Sequence, residues 1–176
     1  GNTYPGAQAP FGMVQLSPDN GLPGWDRISG YFYPDSTIAG FSHTHLSGTG
    51  AGDLYDISFM PVTLPYKEAE APLGIHSRFS HDDESATAGY YQVLLKDYKC
   101  RTYCYRTLRI QRYTFPEAQA AIFLNLKKAM NWDFTNDSRI EIVDSVTIQG
   151  YRFSDGWARD QHIYFRTRFS KPFTSV

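Results

Sequence analysis

Two histidines, His43 and His45, lie in the segment richest in chemically useful side chains, GFSHTHLSGTG at residues 40–50. On an extended strand, side chains two residues apart project from the same face, a spacing that some metal sites use. A third ligand would have to come from nearby acidic residues or histidines, none at a diagnostic spacing: Asp53, Asp56, His76 and His81. We therefore predict that both histidines hold the loop by hydrogen bonds to backbone or carboxylate groups and bind no transition metal. A small metal-dependent enzyme built on the pair is the weaker alternative.

A second kind of chemistry, sugar recognition, is indicated by Trp25 and Asp26, which lie in a loop rich in glycine and aromatic residues. In carbohydrate sites an apolar ring stacks on the sugar while a few polar groups bind its hydroxyls. The stretch from Ser29 to Tyr33 adds three aromatic residues to the same loop. The alternative is that Trp25 closes one end of the hydrophobic core and contacts no ligand.

The acidic side chains do not identify a catalytic pair. Glycoside hydrolysis requires two carboxylates at a defined separation, and 18 acidic residues offer too many combinations without geometry. The run Asp82-Asp83-Glu84 is predicted to be a solvated turn rather than a calcium site.

The elements that position these residues are predicted to be β-strands. At residues 100–110 the even positions are mostly apolar, a period of two that is typical of a half-buried strand. Similar alternations at 122–126 and 163–169 predict two further strands. No apolar stripe with the period of a helix continues for a dozen residues. The fold class is therefore all-β, most simply a β-sandwich of two antiparallel sheets.

The two cysteines, Cys100 and Cys104, are predicted to be reduced and buried on one face of the first of these strands. At ~3.3 Å per residue their Cα atoms would lie about 13 Å apart, which is beyond the reach of a disulfide. No second pair of cysteines or histidines at ligand spacing accompanies them, so zinc is not expected.

Composition excludes several function classes. The 176 residues include 17 basic and 18 acidic side chains, which give a net charge of −1. Nucleic-acid binding usually requires a broad positive surface, which this composition does not supply. No apolar run approaches the roughly 20 residues of a membrane span, and no signal peptide is evident. The 13 Tyr, 12 Phe and 3 Trp favour strands and suit a protein that binds sugars.

Several longer motifs are more specific than any of these patterns. They are TYPGA at 3–7, PFGMVQLSPD at 10–19, GYFYPD at 30–35, IAGFSHTHLSGTG at 38–50, GYYQV at 89–93, GWA at 156–158, DQH at 160–162 and FSKPF at 169–173. With these motifs the chain resembles, nearly end to end, the N-terminal domain of glycoside hydrolase family 92, the calcium-dependent exo-acting α-mannosidases.

The resemblance implies a two-domain enzyme, with an N-terminal β-sandwich packed on a C-terminal (α/α)₆ barrel and the active site at their junction. It implies inverting hydrolysis of terminal α-linked mannose, with a Glu as acid, an Asp as base and Ca²⁺ binding mannose hydroxyls. It assigns those carboxylates and most calcium contacts to the helical domain. Residues 1–176 are therefore expected to form an incomplete sandwich domain with no catalytic residue and no metal ligand, inactive alone. A periplasmic or secreted location in a bacterium is also implied.

The resemblance makes Trp25 the best candidate for a substrate contact, and Asp26, His43 and His45 are inferred to line the domain junction. The expected partners are mannose-containing glycans and the C-terminal helical domain of the same protein; neither nucleic acid nor a membrane span is expected. The alternative from another class is a lectin-like sandwich that binds carbohydrate through Trp25 and nearby tyrosines without catalysis.

Overall fold

The computed structural model describes residues 2–8, 12–48, 50, 52–65, 74–105, 110–116, 119–127 and 132–174, which form an almost entirely β structure. The strands are β1 (Ser17–Asp19), β2 (Thr37–Ile38), β3 (Gly40–Ser42), β4 (Ser58–Thr63), β5 (Ser77–Arg78), β6 (Glu84–Thr87), β7 (Tyr90–Leu95), β8 (Cys100–Tyr105), β9 (Ile110–Thr114), β10 (Ala120–Asn125), β11 (Phe134–Asp144), β12 (Thr147–Asp155) and β13 (Gln161–Arg168). Two single-turn 3₁₀ helices accompany them, Trp25–Arg27 and His81–Asp83. Within the described ranges, no helix has the length and apolar character needed to cross a membrane.

The strands assemble into three antiparallel sheets and one two-stranded ribbon. Sheet 1 has the order β1-β3-β4-β10, sheet 2 the order β6-β7-β8-β9 and sheet 3 the order β11-β12-β13, while β2 pairs with β5. Sheets 2 and 3 join strands that follow one another in the sequence, whereas sheet 1 brings β10 back beside β4. The predicted all-β fold with antiparallel sheets is confirmed.

The central strand of the structure is β4, which is buried along both faces. Met60 belongs to the main core with Tyr91 of sheet 2, whereas its neighbour Phe59 belongs to a second core, against which Phe165 of sheet 3 packs. Because adjacent residues of β4 meet different sheets, sheet 1 lies between the other two. A strand covered on both faces shows no alternation of apolar and polar residues. The sandwich predicted from the sequence therefore has a third sheet on its second face.

The strand predicted at residues 100–110 is interrupted, and this part of the prediction was wrong. Strand β8 ends at Tyr105, which pairs with Ile110 at the start of antiparallel β9, so the chain reverses direction between them. Arg106 and Leu108, two of the alternating positions, lie outside the described residues. The intervening sequence contains no Gly, Pro, Asn or Asp, so composition gave no signal for a turn.

Other strand predictions are confirmed. The segments at 122–126 and 163–169 correspond to β10 and β13, which each end one residue before the predicted end. Cys100 and Cys104 are free, buried and on the same face of β8. Burial raises the pKa of both thiols, that of Cys100 to about 12, so both remain unreactive apolar core side chains.

Candidate functional site

A short segment, residues 52–57, connects the loops that carry the predicted site residues, and we call it the hub. Leu54, Tyr55 and Ile57 in the hub have φ angles of 78°, 64° and 55°. Residues other than glycine seldom adopt this left-handed conformation, least of all a β-branched residue such as isoleucine. Such strain persists only where the surroundings enforce it, and it is concentrated at functional sites.

The loop that follows β3 fixes the backbone conformation of the hub from one side through hydrogen bonds. The Thr44 hydroxyl donates to the Asp56 carboxylate at 2.6 Å and accepts from the Asp56 amide at 2.9 Å. The Thr44 carbonyl accepts from the Tyr55 amide at 3.0 Å, and the His43 amide donates to the Asp56 carbonyl at 2.9 Å. Backbone and side chain of the loop therefore bind the same two hub residues.

The ring of His43 also supports the hub. Its Nδ1 lies 2.6 Å from the carbonyl oxygen of Ile57 and donates to it, and its edge contacts the ring of Phe59. Burial lowers the pKa of His43 to about 4, so the ring is neutral at physiological pH. The hydrogen-bonding function predicted for this histidine is observed.

His45 forms a buried hydrogen-bonded pair with Asp19 beside the hub. Its Nδ1 lies 2.8 Å from the carbonyl oxygen of Gln15, and its Nε2 lies 2.8 Å from Oδ1 of Asp19. The Ser42 hydroxyl oxygen lies 3.0 Å from the same Nε2. The side chains of His45 and Asp19 are fully buried. Gly30, with φ at 86°, leaves room for this pair, because a Cβ there would lie 2.5 Å from the same Asp19 oxygen.

A buried arginine joins sheet 3 to the hub. Arg152 of β12 is fully enclosed, and its guanidinium donates to the carboxylates of Asp56 in the hub and of Asp133 just before β11. Both carboxylates are also fully buried. Its Nε–H is shared between Leu126 O and Thr135 Oγ1 at 3.1 and 3.0 Å, and Nη1 also donates to Ser154 Oγ at 2.9 Å.

Asp133 is the member of this cluster whose ionised form is disfavoured. Burial raises its pKa to about 6, a shift that the Arg152 charge partly opposes and that the charges of Asp56 and Asp53 increase. Its Oδ1 has no hydrogen-bond partner among the described residues. A buried oxygen without a donor favours the protonated carboxyl over the carboxylate.

Asp53 fastens a second loop to the hub. Its carboxylate accepts from the backbone amides of Leu54 at 2.7 Å and Trp157 at 2.8 Å. It also accepts from the side-chain amide of Gln161, which lies 3.0 Å from both carboxylate oxygens. Gly156 permits this approach, because a Cβ there would lie 2.7 Å from Cγ of Asp53. The loop between β12 and β13 is thus fixed against the hub.

The loops attached to the hub carry large exposed aromatic side chains. The Tyr55 hydroxyl donates to the carbonyl of Ile28, just after the Trp25–Arg27 turn. The carbonyl of Gly52 accepts from the amide of Trp132 at 3.4 Å. More than half of the surface of three tryptophans is exposed: Trp25 (59%), Trp132 (52%) and Trp157 (73%).

The structure separates the four predicted site residues into two pairs. Trp25 and Asp26 are exposed, so the interpretation of Trp25 as the closing residue of a core was wrong. His43 bonds to Ile57 of the hub, and the ring of His45 packs edge-on against Tyr55 of the hub. Contact with a substrate stays a prediction for all four.

The acidic run at 82–84 differs from its prediction as a solvated turn. Asp82 is exposed, but the side chain of Glu84 is almost buried and accepts from the hydroxyls of Tyr31 at 2.9 Å and Tyr91 at 2.6 Å. The aromatic partners come from elsewhere in the chain, so local composition gave no signal for them.

The hub does not offer a calcium site. In the ranges that the structure describes, no three His, Cys, Asp or Glu side chains are grouped so that they could hold a metal ion. Asp56 and Asp133 already accept hydrogen bonds from Arg152.

Comparison with known proteins identifies the family. Residues 1–176 match the glycosyl hydrolase family 92 N-terminal domain. The chain belongs to this family. The solved structure of the family GH92 α-mannosidase BT3965 from Bacteroides thetaiotaomicron, which includes a complex with mannoimidazole, is 40% identical with a TM-score of 0.91. The matched region covers 99% of this family 92 domain and 24% of BT3965.

Two other relatives agree with this assignment. The GH92 glycosyl hydrolase CcMan5 is 25% identical with a TM-score of 0.76, over 98% of this chain and 25% of that protein. An uncharacterized secreted glycosidase from Arthroderma benhamiae is 40% identical over 50 residues, which is 28% of this chain and 6% of that protein. The family 92 domain thus spans about a quarter of the length of the two solved relatives.

The Arg152→Met substitution tests the buried cluster. It leaves two buried carboxylates without their counter-charge, so we expect the free energy of unfolding to fall by about 3–5 kcal/mol. The matched control is Arg166→Met on exposed β13, which should change stability by less than about 0.5 kcal/mol. Thermal or denaturant unfolding measures both variants. Equal stability of the two would show that Arg152 does not hold the hub.

The Asp133→Asn substitution tests the raised pKa. A carboxyl with a raised pKa in the folded state stabilises that state below its unfolded pKa, and this stability is lost as the pH rises through about 6. Asparagine has no such proton, so the stability of the variant relative to wild type should increase from pH 4 to pH 7. The increase should be on the order of 1–3 kcal/mol, since one pKa unit corresponds to about 1.4 kcal/mol. A difference that does not change with pH, measured by unfolding at both values, would contradict the assignment.

Proposed function

We propose that this chain is the N-terminal sandwich domain of an inverting exo-α-mannosidase that removes terminal α-linked mannose from glycans. In this proposal the hub and its attached loops form one wall of the sugar pocket. Membership of family 92 and the likeness to BT3965 support the activity. The exposed and fixed position of Trp25 supports the location of the wall.

Trp25 is the observation that carries this proposal. Its turn is held at the C-terminal end by the bond from Tyr55 to Ile28 and by Arg27, which donates twice to the carboxylate of Asp35 at 2.6 and 2.5 Å. The indole thus projects from a backbone that is already ordered. An aromatic ring on an ordered backbone binds a sugar face with a small loss of conformational entropy. Asp26 provides a neighbouring carboxylate that can accept hydrogen bonds from sugar hydroxyls.

The electrostatics of the hub suit a neutral ligand. His45 is paired with Asp19, and Arg152 is paired with Asp56 and Asp133. Each of these charged groups therefore already has a bonded partner within the domain. A neutral sugar is then bound by apolar contact and by hydrogen bonds rather than by net charge.

The catalytic groups of the proposed enzyme lie outside this chain. Following the resemblance, we assign the acid Glu, the base Asp and most ligands of Ca²⁺ to a C-terminal helical domain that packs against this one. This assignment makes residues 1–176 catalytically inactive alone. A secreted or periplasmic location is part of the same proposal, supported by the secreted relative from A. benhamiae.

The Trp25→Ala substitution in the complete protein tests the pocket wall. Loss of a stacked apolar surface of this size is worth about 1.5–3 kcal/mol, so kcat/KM for an α-mannoside should fall roughly 10- to 100-fold. The exposed indole contributes little to folding, so the melting temperature should change little. Steady-state kinetics and thermal unfolding of the same preparations measure both effects.

Trp25→Phe is the matched control, because it keeps an aromatic ring and should retain most of the activity. A Trp25→Ala variant with normal kinetics, or with a large loss of melting temperature, would contradict the proposed wall. Binding of mannose oligosaccharides by the complete protein without hydrolysis would instead support the lectin-like alternative.

A further inference from the structure

A shallow groove of about 340 Å³ lies beside the Trp25 turn, between residues 2–5 and residues 31–33. We call it the Tyr33 groove, since Tyr33 is its most exposed aromatic side chain, at 65%. It is connected to the turn through Arg27, whose guanidinium lies 4.9 Å from the centroid of the Phe32 ring. The Ser29 hydroxyl, which donates to the carbonyl of Thr3 at 2.9 Å, provides a second connection.

The ring of Tyr33 is held rigidly although it is exposed. It stacks on the imidazole of His81 with centroids 3.9 Å apart and planes within 9°. The same imidazole bonds to the carbonyl oxygen of Tyr33 through Nε2 and to Glu84 through Nδ1, both at 2.7 Å. Glu84 is in turn fixed by the hydroxyls of Tyr31 and Tyr91. His81 therefore covers one face of the Tyr33 ring and fixes the orientation of the ring.

The charged side chains beside the groove already have bonded partners, and one polar side chain at its rim is unused. Arg27 is paired with Asp35, and His81 with Glu84. In the described part of the chain, the amide side chain of Asn2 makes no hydrogen bond. A peptide with net charge or a phosphate finds no unpaired counter-charge among these residues, whereas a sugar uses an aromatic ring and neutral donors and acceptors.

We infer that the Tyr33 groove binds a second sugar residue of the glycan, beyond the mannose that is cleaved. This inference rests on the proposed function, because it assumes that the glycan enters past Trp25. The exposed aromatic strip on sheet 3 is a weaker candidate, since Tyr151, Phe153 and His162 stack on one another and occupy their own ring faces.

The test compares substrates of different length in the complete protein. One substrate is an aryl α-mannoside with a single sugar, and the other is an α-linked mannotetraose. For Tyr33→Ala, the ratio of KM for the tetraose to KM for the aryl mannoside should rise about five- to tenfold, as expected for the loss of one stacking contact. Tyr33→Phe keeps the ring and should keep the wild-type ratio.

Tyr164→Ala is the matched control, since it removes an equally exposed tyrosine from sheet 3 and should leave both KM values unchanged. An unchanged ratio in Tyr33→Ala would overturn the inference while leaving the proposed function intact. Wild-type protein that hydrolyses neither substrate would overturn the proposed function and this inference with it.

Discussion

A guanidinium that is fully removed from water is tolerated only when its charge is balanced and its donors are bonded. Arg152 meets both conditions with carboxylates from two other regions, Asp56 of the hub and Asp133 before β11. Movement of either region would expose a buried charge to water or leave it without its partner. The positions of sheet 3, the hub and the segment before β11 are therefore coupled. This coupling also fixes the positions of the loops attached to the hub.

The strained backbone of the hub is held by further bonds that do not involve Arg152. Leu54, Tyr55 and Ile57 keep positive φ angles because bonds from Thr44, His43 and Asp53 hold them from several sides. The result is a rigid base for exposed indoles that would otherwise sit on flexible loops. A rigid aromatic surface is well suited to binding the face of a neutral sugar.

The sequence was sufficient for features that depend on local pattern. Period-two alternation identified β10 and β13, and the motifs around the two histidines identified the family. It was insufficient for features that depend on distant partners. Arg152 and Asp56 are 96 residues apart, and no periodicity relates them. The end of β8 at Tyr105 and the nearly buried side chain of Glu84 were missed because their neighbours in the sequence are ordinary strand or turn residues.

Contact between Trp25 and mannose is measured most directly by a crystal structure of the complete protein with a mannose-mimicking inhibitor such as mannoimidazole. If the hub forms a wall of the pocket, the indole of Trp25 will lie within van der Waals distance of the bound ring, about 4 Å. The carboxylate of Asp26 will face the same side. An inhibitor bound with no atom of Trp25 in contact would contradict the placement of the pocket at the hub.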